Sequence, residues 1–205
     1  MTKDKTGEWR SIIYAGAEDR NREYKASFPW NKDTDGATMA KVTKTILAMA
    51  NLRDGGHIVI GVEEKGSEGR FLAVGMKPEH LVTYSYDRVA DFVKEYAEPY
   101  VRFGLDIVEV DKKEFVVISV EGFDQVPVIC KRSFSDILSE GRVYIRPRSG
   151  RPRSAPLNRY VDMRELLDLA TERGIRDFLE RLHRVSPVSK FDDAEKFKAE
   201  LGDFG

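Results

Sequence analysis

The sequence has little cysteine and little histidine. Cys130 is the single cysteine among 205 residues, so the chain can form no internal disulfide. His57, His80 and His183 share no ligand spacing, and no Cys/His pattern supports a structural zinc site. Long apolar runs are missing too. No stretch approaches the roughly 18 apolar residues a membrane span requires, and the opening Met-Thr-Lys-Asp-Lys-Thr-Gly-Glu carries no apolar segment of the signal-peptide kind. These absences lead to the expectation of a soluble, cytoplasmic protein with no membrane partner. Charge of one sign is not in excess: 34 Lys and Arg face 35 Asp and Glu, for a formal charge of −1. A uniformly basic coat is excluded, and any anion-binding patch must be local. Internal repeats, low-complexity tracts and a phosphate-cradling G-x-x-x-x-G-K-[ST] loop are also absent, so nucleotide hydrolysis is not expected.

What is present is enough apolar content, 41%, for one good-sized domain with an appendage. The pattern centres on Ala48 to Glu64. Thr38 to Ala50 places Met39, Val42, Ile46, Leu47 and Ala50 at helical spacing, with Lys41, Lys44 and Thr45 away from that stripe. Asn51 and Gly55-Gly56 tolerate positive φ and allow the chain to stop the helix and reverse. Ile58-Val-Ile-Gly-Val62 then reads as a strand covered on both faces. Glu63 and Glu64 stand at its exit.

Around this centre the sequence predicts a short first helix over Glu8 to Tyr14 and a strand over Arg22 to Phe28, with Glu23 and Lys25 on one face and Tyr24 on the other. Thr34 or Asp35 is the expected cap of the helix that follows, and Trp30 a loop anchor. Lys65 to Gly69 reads as a turn, and Phe71 to Val74 is expected to return as a hairpin beside the central strand that precedes it. Glu79 to Ala97 reads as one helix that Pro99 closes. Val101 to Ile107 and Phe115 to Val120 read as an antiparallel hairpin, and Val126 to Lys131 and Arg142 to Arg146 as two further short strands. An extended Pro-containing segment follows, then one interrupted or two short helices around Gly174, and the last residues read either as a small acidic helix over Ala194 to Leu201 or as a mobile end. The expected fold is α+β: a mixed, largely antiparallel sheet packed by helices, with a domain over residues 1–160 and a C-terminal helical extension over 161–205.

Three elements together resemble a known family. Glu18-x4-Glu23-Tyr-Lys25, then Ala48-x-Ala-Asn51-x3-Gly55-Gly-x-Ile-x-Ile-Gly61-Val-Glu-Glu64, and Val143-Tyr-Ile-Arg146 are similar to the Schlafen AlbA-like DNA-binding domain. The likeness runs over roughly residues 8 to 160. Many members continue into an ATPase-like or winged-helix region, which 205 residues are too few to hold in full, so here the domain is expected to stand nearly alone. The resemblance implies nucleic-acid binding, of DNA or RNA, and regulatory roles such as transcriptional control. Its Schlafen branch implies a ribonuclease with three acidic residues and Mg or Mn. Those acids fall on Glu18, Glu23 and Glu64; the family has an aspartate at the third position, so Glu64 keeps the charge and lengthens the side chain.

Phosphodiester cleavage needs an activated water and neutralised phosphate charge, which carboxylate-held metal supplies. Glu18, Glu23 and Glu64 are accordingly the candidate catalytic and metal residues, with Lys25 beside the phosphate. Glu18 and Glu23 meet only if a turn near Asp19 intervenes. The plain alternative is an ion pair on a strand face, worth little. The binding signal lies elsewhere. From Arg142 to Arg159 there are six arginines and no Asp or Glu. Lys131, Arg132, Arg142, Arg146, Arg148, Arg151 and Arg153 are the candidate nucleic-acid contacts, because the planar guanidinium suits phosphate and each neutralised phosphate releases counterions. For Arg146 the alternative is a pair with a core-facing carboxylate. A third reading is a regulatory module that self-associates through its C-terminal helices.

Overall fold

The computed structural model describes residues 3–65, 69–148 and 152–185. In chain order they form α1 (Lys3–Ile13), β1 (Arg22–Lys25), α2 (Lys32–Ala50), β2 (Gly56–Ile60), β3 (Val62–Lys65), β4 (Arg70–Ala73), α3 (Pro78–Leu81), α4 (Tyr86–Lys94), β5 (Ala97–Glu98), β6 (Phe103–Val110), β7 (Lys113–Val120), β8 (Ile129–Cys130), β9 (Tyr144–Ile145), β10 (Ala155–Pro156) and α5 (Tyr160–Val185). The central sheet has the order β1-β2-β7-β6, with β1 parallel to β2 and the other pairs antiparallel. The fold is therefore α+β with a mixed, mostly antiparallel sheet and a C-terminal helix.

Successive strand residues point to opposite faces, and both faces of β2 are covered. Ile58 and Ile60 pack with Met39, Val42, Ile46 and Leu47 of α2 and with Val89, Phe92 and Val93 of α4. Val59 faces the other way, toward Ile13, Tyr24, Phe115 and Val117. That is why β2 reads as an unbroken apolar run. The glycines before it are set by close backbone approach. A Cβ on Gly55, at φ +65°, would stand 1.9 Å from Val120 O, and one on Gly56 would stand 2.5 Å from Asn21 O. Asn51 does not take positive φ; at φ −89° it caps α2. Its buried amide donates to Val128 O and Tyr144 O at 2.9 Å and accepts from Val128 N–H at 2.8 Å, pinning the end of α2 to the segment that leads to β9.

Several local expectations change. The hairpin expected at Phe71 to Val74 forms, with Ala73 opposite Val62, but Gly61, at φ +110°, turns the chain out of the sheet, so β4 pairs with β3 and not with β2. β1 stops at Lys25, and α2 is capped by Asn31, whose side chain accepts from Asp33 N–H at 3.0 Å. Thr45 is buried although its neighbours Lys41 and Lys44 are not. The helix expected over 79–97 is two helices, and Val82 between them is 77% exposed. Thr83 makes the break: its hydroxyl donates to His80 O and accepts from Trp30 N–H at 2.8 Å, and Ser85 then caps α4. Trp30 is buried as a loop anchor. At the other end α5 runs as one helix of 26 residues through Gly174. A lone glycine costs a helix only about 1 kcal/mol, and Leu166 and Leu169 anchor the first half in the core. Residues 194–201 lie outside the described residues.

Candidate functional site

The turn between Glu18 and Glu23 is closed by Asp19 N–H to Arg22 O at 3.2 Å and by Asn21 N–H to Asp19 Oδ1 at 2.8 Å. It brings the two carboxylates together at the start of β1. Burial, and then the Glu23 charge, push the Glu18 carboxyl above its ordinary range, while Tyr24 N–H, donated to Glu18 Oε1 at 2.9 Å, pulls the other way. Glu23 is buried with both oxygens engaged: Arg146 Nη1 donates to Oε2 at 2.6 Å and Lys25 Nζ donates to Oε1. Arg146 has 0% exposure, and its Nη2 also reaches Asp19 O at 2.6 Å and Arg22 O at 3.2 Å. The guanidinium thus clamps the turn to Glu23. Its place among the phosphate contacts is corrected on that ground, since a phosphate could reach it only by breaking a buried ion pair.

Glu64 does not join the other two acids in a cation site. It lies exposed on β3, opposite Phe71 of β4. Among the described residues no group of three His, Cys, Asp or Glu is placed to hold a metal ion. The donor set explains this. Two cations already hold Glu23, a backbone N–H holds one oxygen of Glu18, and a divalent ion that demands near-octahedral oxygen ligands finds too few free ones. The residues present do not fit Mg or Mn.

The arginine run folds as a hairpin arm. β9 and β10 pair antiparallel, Ile145 opposite Ala155 and Tyr144 opposite Pro156, and Leu157 N–H donates to Val143 O at 2.8 Å. Arg148 therefore follows β9 on one limb and Arg153 precedes β10 on the other; Arg151 lies outside the described residues. Arg148 forks onto Glu165 of α5, both bonds at 3.1 Å, and Arg159 forks onto Asp162 at 2.6 and 2.9 Å. Arg142 and Arg153 are exposed, and neither side chain has a hydrogen-bond or ion-pair partner among the described residues. Arg142 O accepts from Cys130 N–H at 2.8 Å, which sets it beside Lys131 and Arg132. Those two rest loosely on Glu98 and Glu95, each at 3.6 Å.

The acidic corner, the double glycine, β2 and the arm as far as Arg153 all fall inside residues 18–153, which match the family described as Schlafen, AlbA_2. The chain belongs to this family. No curated protein matches it. Two solved structures are similar to this Schlafen, AlbA_2 chain at low identity. The DIP2311 protein of Corynebacterium diphtheriae is 16% identical with a TM-score of 0.47, over 77% of this chain and 27% of that one. The N-terminal domain of a RecG-related protein from Nitrosomonas europaea is 19% identical with a TM-score of 0.44, over 76% of this chain and 92% of that one.

Two features of this family member escape the sequence. Arg20 donates Nε to Arg146 O at 2.7 Å and forks onto Glu165 at 2.7 and 2.9 Å, so one carboxylate of α5 holds both the β1 turn and the arm. Burial raises that carboxyl, but Arg20 and Arg148 outweigh it and hold Glu165 below its usual range. The second feature is a pocket of about 310 Å³ between β1 and α2, lined by Glu23, Lys25, Lys41, Lys44, Asp136 and Ser154 among others. The three-residue spacing of Lys41 and Lys44 already sets them on one helix face; only the fold turns that face toward Lys25.

Proposed function

We propose that this Schlafen, AlbA_2 domain binds nucleic acid through the phosphate backbone, with the hairpin arm as the main contact. The observation that carries the reading is the exposure of Arg142 and Arg153 without carboxylate partners among the described residues, on a run free of acids, in a chain whose formal charge is −1. An uncommitted guanidinium on a negative molecule is the group most available to a phosphate. Arg148 joins them, because its side chain is 73% exposed and a surface pair of that kind is weak enough to exchange for phosphate. Lys131 and Arg132 extend the contact past Arg142, and Arg151 belongs to the same run. Contacts of this type position a strand without reading its bases, and DNA and RNA both present them. Cleavage is not part of the proposal, since the carboxylates do not fit a metal.

The test is the double variant Arg142→Ala/Arg153→Ala in fluorescence anisotropy against single strands, duplex DNA and structured RNA. It is expected to lose affinity similarly for all sequences of a given polymer and to flatten the salt dependence by about one unit of slope per arginine. Unchanged affinity for every polymer would overturn it.

A second reading, self-association, is favoured by α5. Ile175, Phe178, Leu179 and Leu182 recur at helical spacing and are 45% to 59% exposed. Such a stripe on a surface helix suits a partner helix. In solution the wild type is then expected above the chain mass of 23.4 kDa and Leu179→Glu at that mass; a wild-type monomer at high concentration sinks the idea.

A further inference from the structure

We propose that the pocket between β1 and α2 is a seat for one phosphate group, and that a phosphate of the bound strand enters it beside the arm. The source of that phosphate rests on the nucleic-acid reading above; the seat rests on the pocket itself. Three ammonium groups line it, Lys25 from the strand and Lys41 and Lys44 from the helix, and its volume of about 310 Å³ reaches the lower end of ligand-sized cavities. Lys25 is committed to Glu23, and that carboxylate is held from the other side by Arg146, so neither Glu23 oxygen is left to repel an anion. Lys41 is exposed and Lys44 half-buried, and neither ammonium makes an ion pair among the described residues, so the one carboxylate of the lining besides Glu23, Asp136, is outnumbered by the three ammonium groups.

Lys44 points most directly to a ligand. Its Nζ lies over the Tyr144 ring, 5.0 Å from the centroid, a contact that stabilises a cation but supplies no charge to balance it. Burial pulls the ammonium below its usual range, with Asp136 opposing. Asp136 is near enough to act on Lys44 but makes no ion pair with it, and a partly desolvated cation with no carboxylate in contact gains more from an anion than a solvated one does. Hydroxyls complete the lining, with Ser154 Oγ donating to Thr45 Oγ1 at 3.2 Å. Ser154 follows Arg153 directly, so a strand lying along the arm passes the mouth of the pocket.

The experiment uses the full chain, inorganic phosphate and an oligonucleotide, read by amide chemical shifts of Lys44, Thr45 and Ser154 and by anisotropy. Inorganic phosphate at millimolar concentration is expected to shift those amides in wild type and not in Lys41→Gln/Lys44→Gln, and that variant is expected to bind the oligonucleotide about tenfold more weakly or worse. Lys44→Arg, which keeps the charge, should restore most of both effects, and unchanged thermal melting shows that the Gln variant folds. Arg142→Ala/Arg153→Ala should weaken the oligonucleotide yet leave the phosphate shifts intact. Arm-dependent polymer binding with no phosphate shifts and no effect of the Gln variant would overturn the seat and leave the nucleic-acid reading standing. Phosphate shifts with no polymer binding would leave the seat standing and overturn the strand as its source.

Discussion

Arg146 shows how one residue can serve a different end from the run it sits in. Its guanidinium is enclosed, and it spans Glu23 and two carbonyls of the Asp19–Arg22 turn. Arg146→Met would leave Glu23 buried with Lys25 alone, and losing one partner of a buried pair typically costs about 3–5 kcal/mol. Chemical denaturation is expected to register that loss in Arg146→Met and little change in Arg153→Ala, whose side chain is exposed. Adding Glu23→Leu to Arg146→Met should recover part of it, because no charge is then stranded; an additive double variant would show that the pair does not act as one unit. Glu18 makes a prediction of the opposite kind. Its carboxyl is raised by burial and by Glu23, so the folded chain binds that proton more tightly than the unfolded chain. The stability that the protonated form contributes is full below the ordinary carboxylate value and is lost as pH rises through the raised one. Glu18→Gln cannot ionise and keeps an acceptor for Tyr24 N–H. Its melting temperature is expected to gain on wild type as pH climbs from about 4 toward neutrality, and a constant difference would contradict this.

At the scale of elements, the sequence discloses whatever is settled by neighbours in the chain. The helix face of α2, the doubly covered β2 and the β6–β7 hairpin follow from spacing alone, and the double glycine is where two backbones crowd together. What it does not disclose depends on distant partners. The helix over 79–97 is cut in two because Thr83 meets Trp30, 53 residues away. α5 continues through Gly174 because its first half is held in the core. Phe71 to Val74 misses the central sheet because Gly61 leaves it. The site divides along the same line. Glu18, Glu23 and Lys25 gather as their spacing and the Asp19 turn require, whereas Arg146 lies 123 residues from Glu23, and nothing local marks that pairing. Lys41 and Lys44 look like an ordinary solvated face until β1 and Ser154 are set against them.

In the whole molecule the charges nearly cancel, and binding depends on where the cancelling happens. Among the described residues, Arg146, Arg148 and Arg159 are already answered by acids of β1 or α5, and Arg142 and Arg153 are unanswered on the surface. Glu165 answers two arginines, taking forks from both Arg20 and Arg148. A phosphate arriving at the arm meets this carboxylate as a rival already in residence. Glu165→Gln should therefore tighten the oligonucleotide by up to about fivefold at matched salt, the worth of a weak surface pair, while lowering the melting temperature as Arg20 loses its partner. Weaker or equal binding would refute the rivalry. On this view α5 sets the threshold for binding: the helix that steadies the arm also fixes how strong an anion must be to take Arg148 from it.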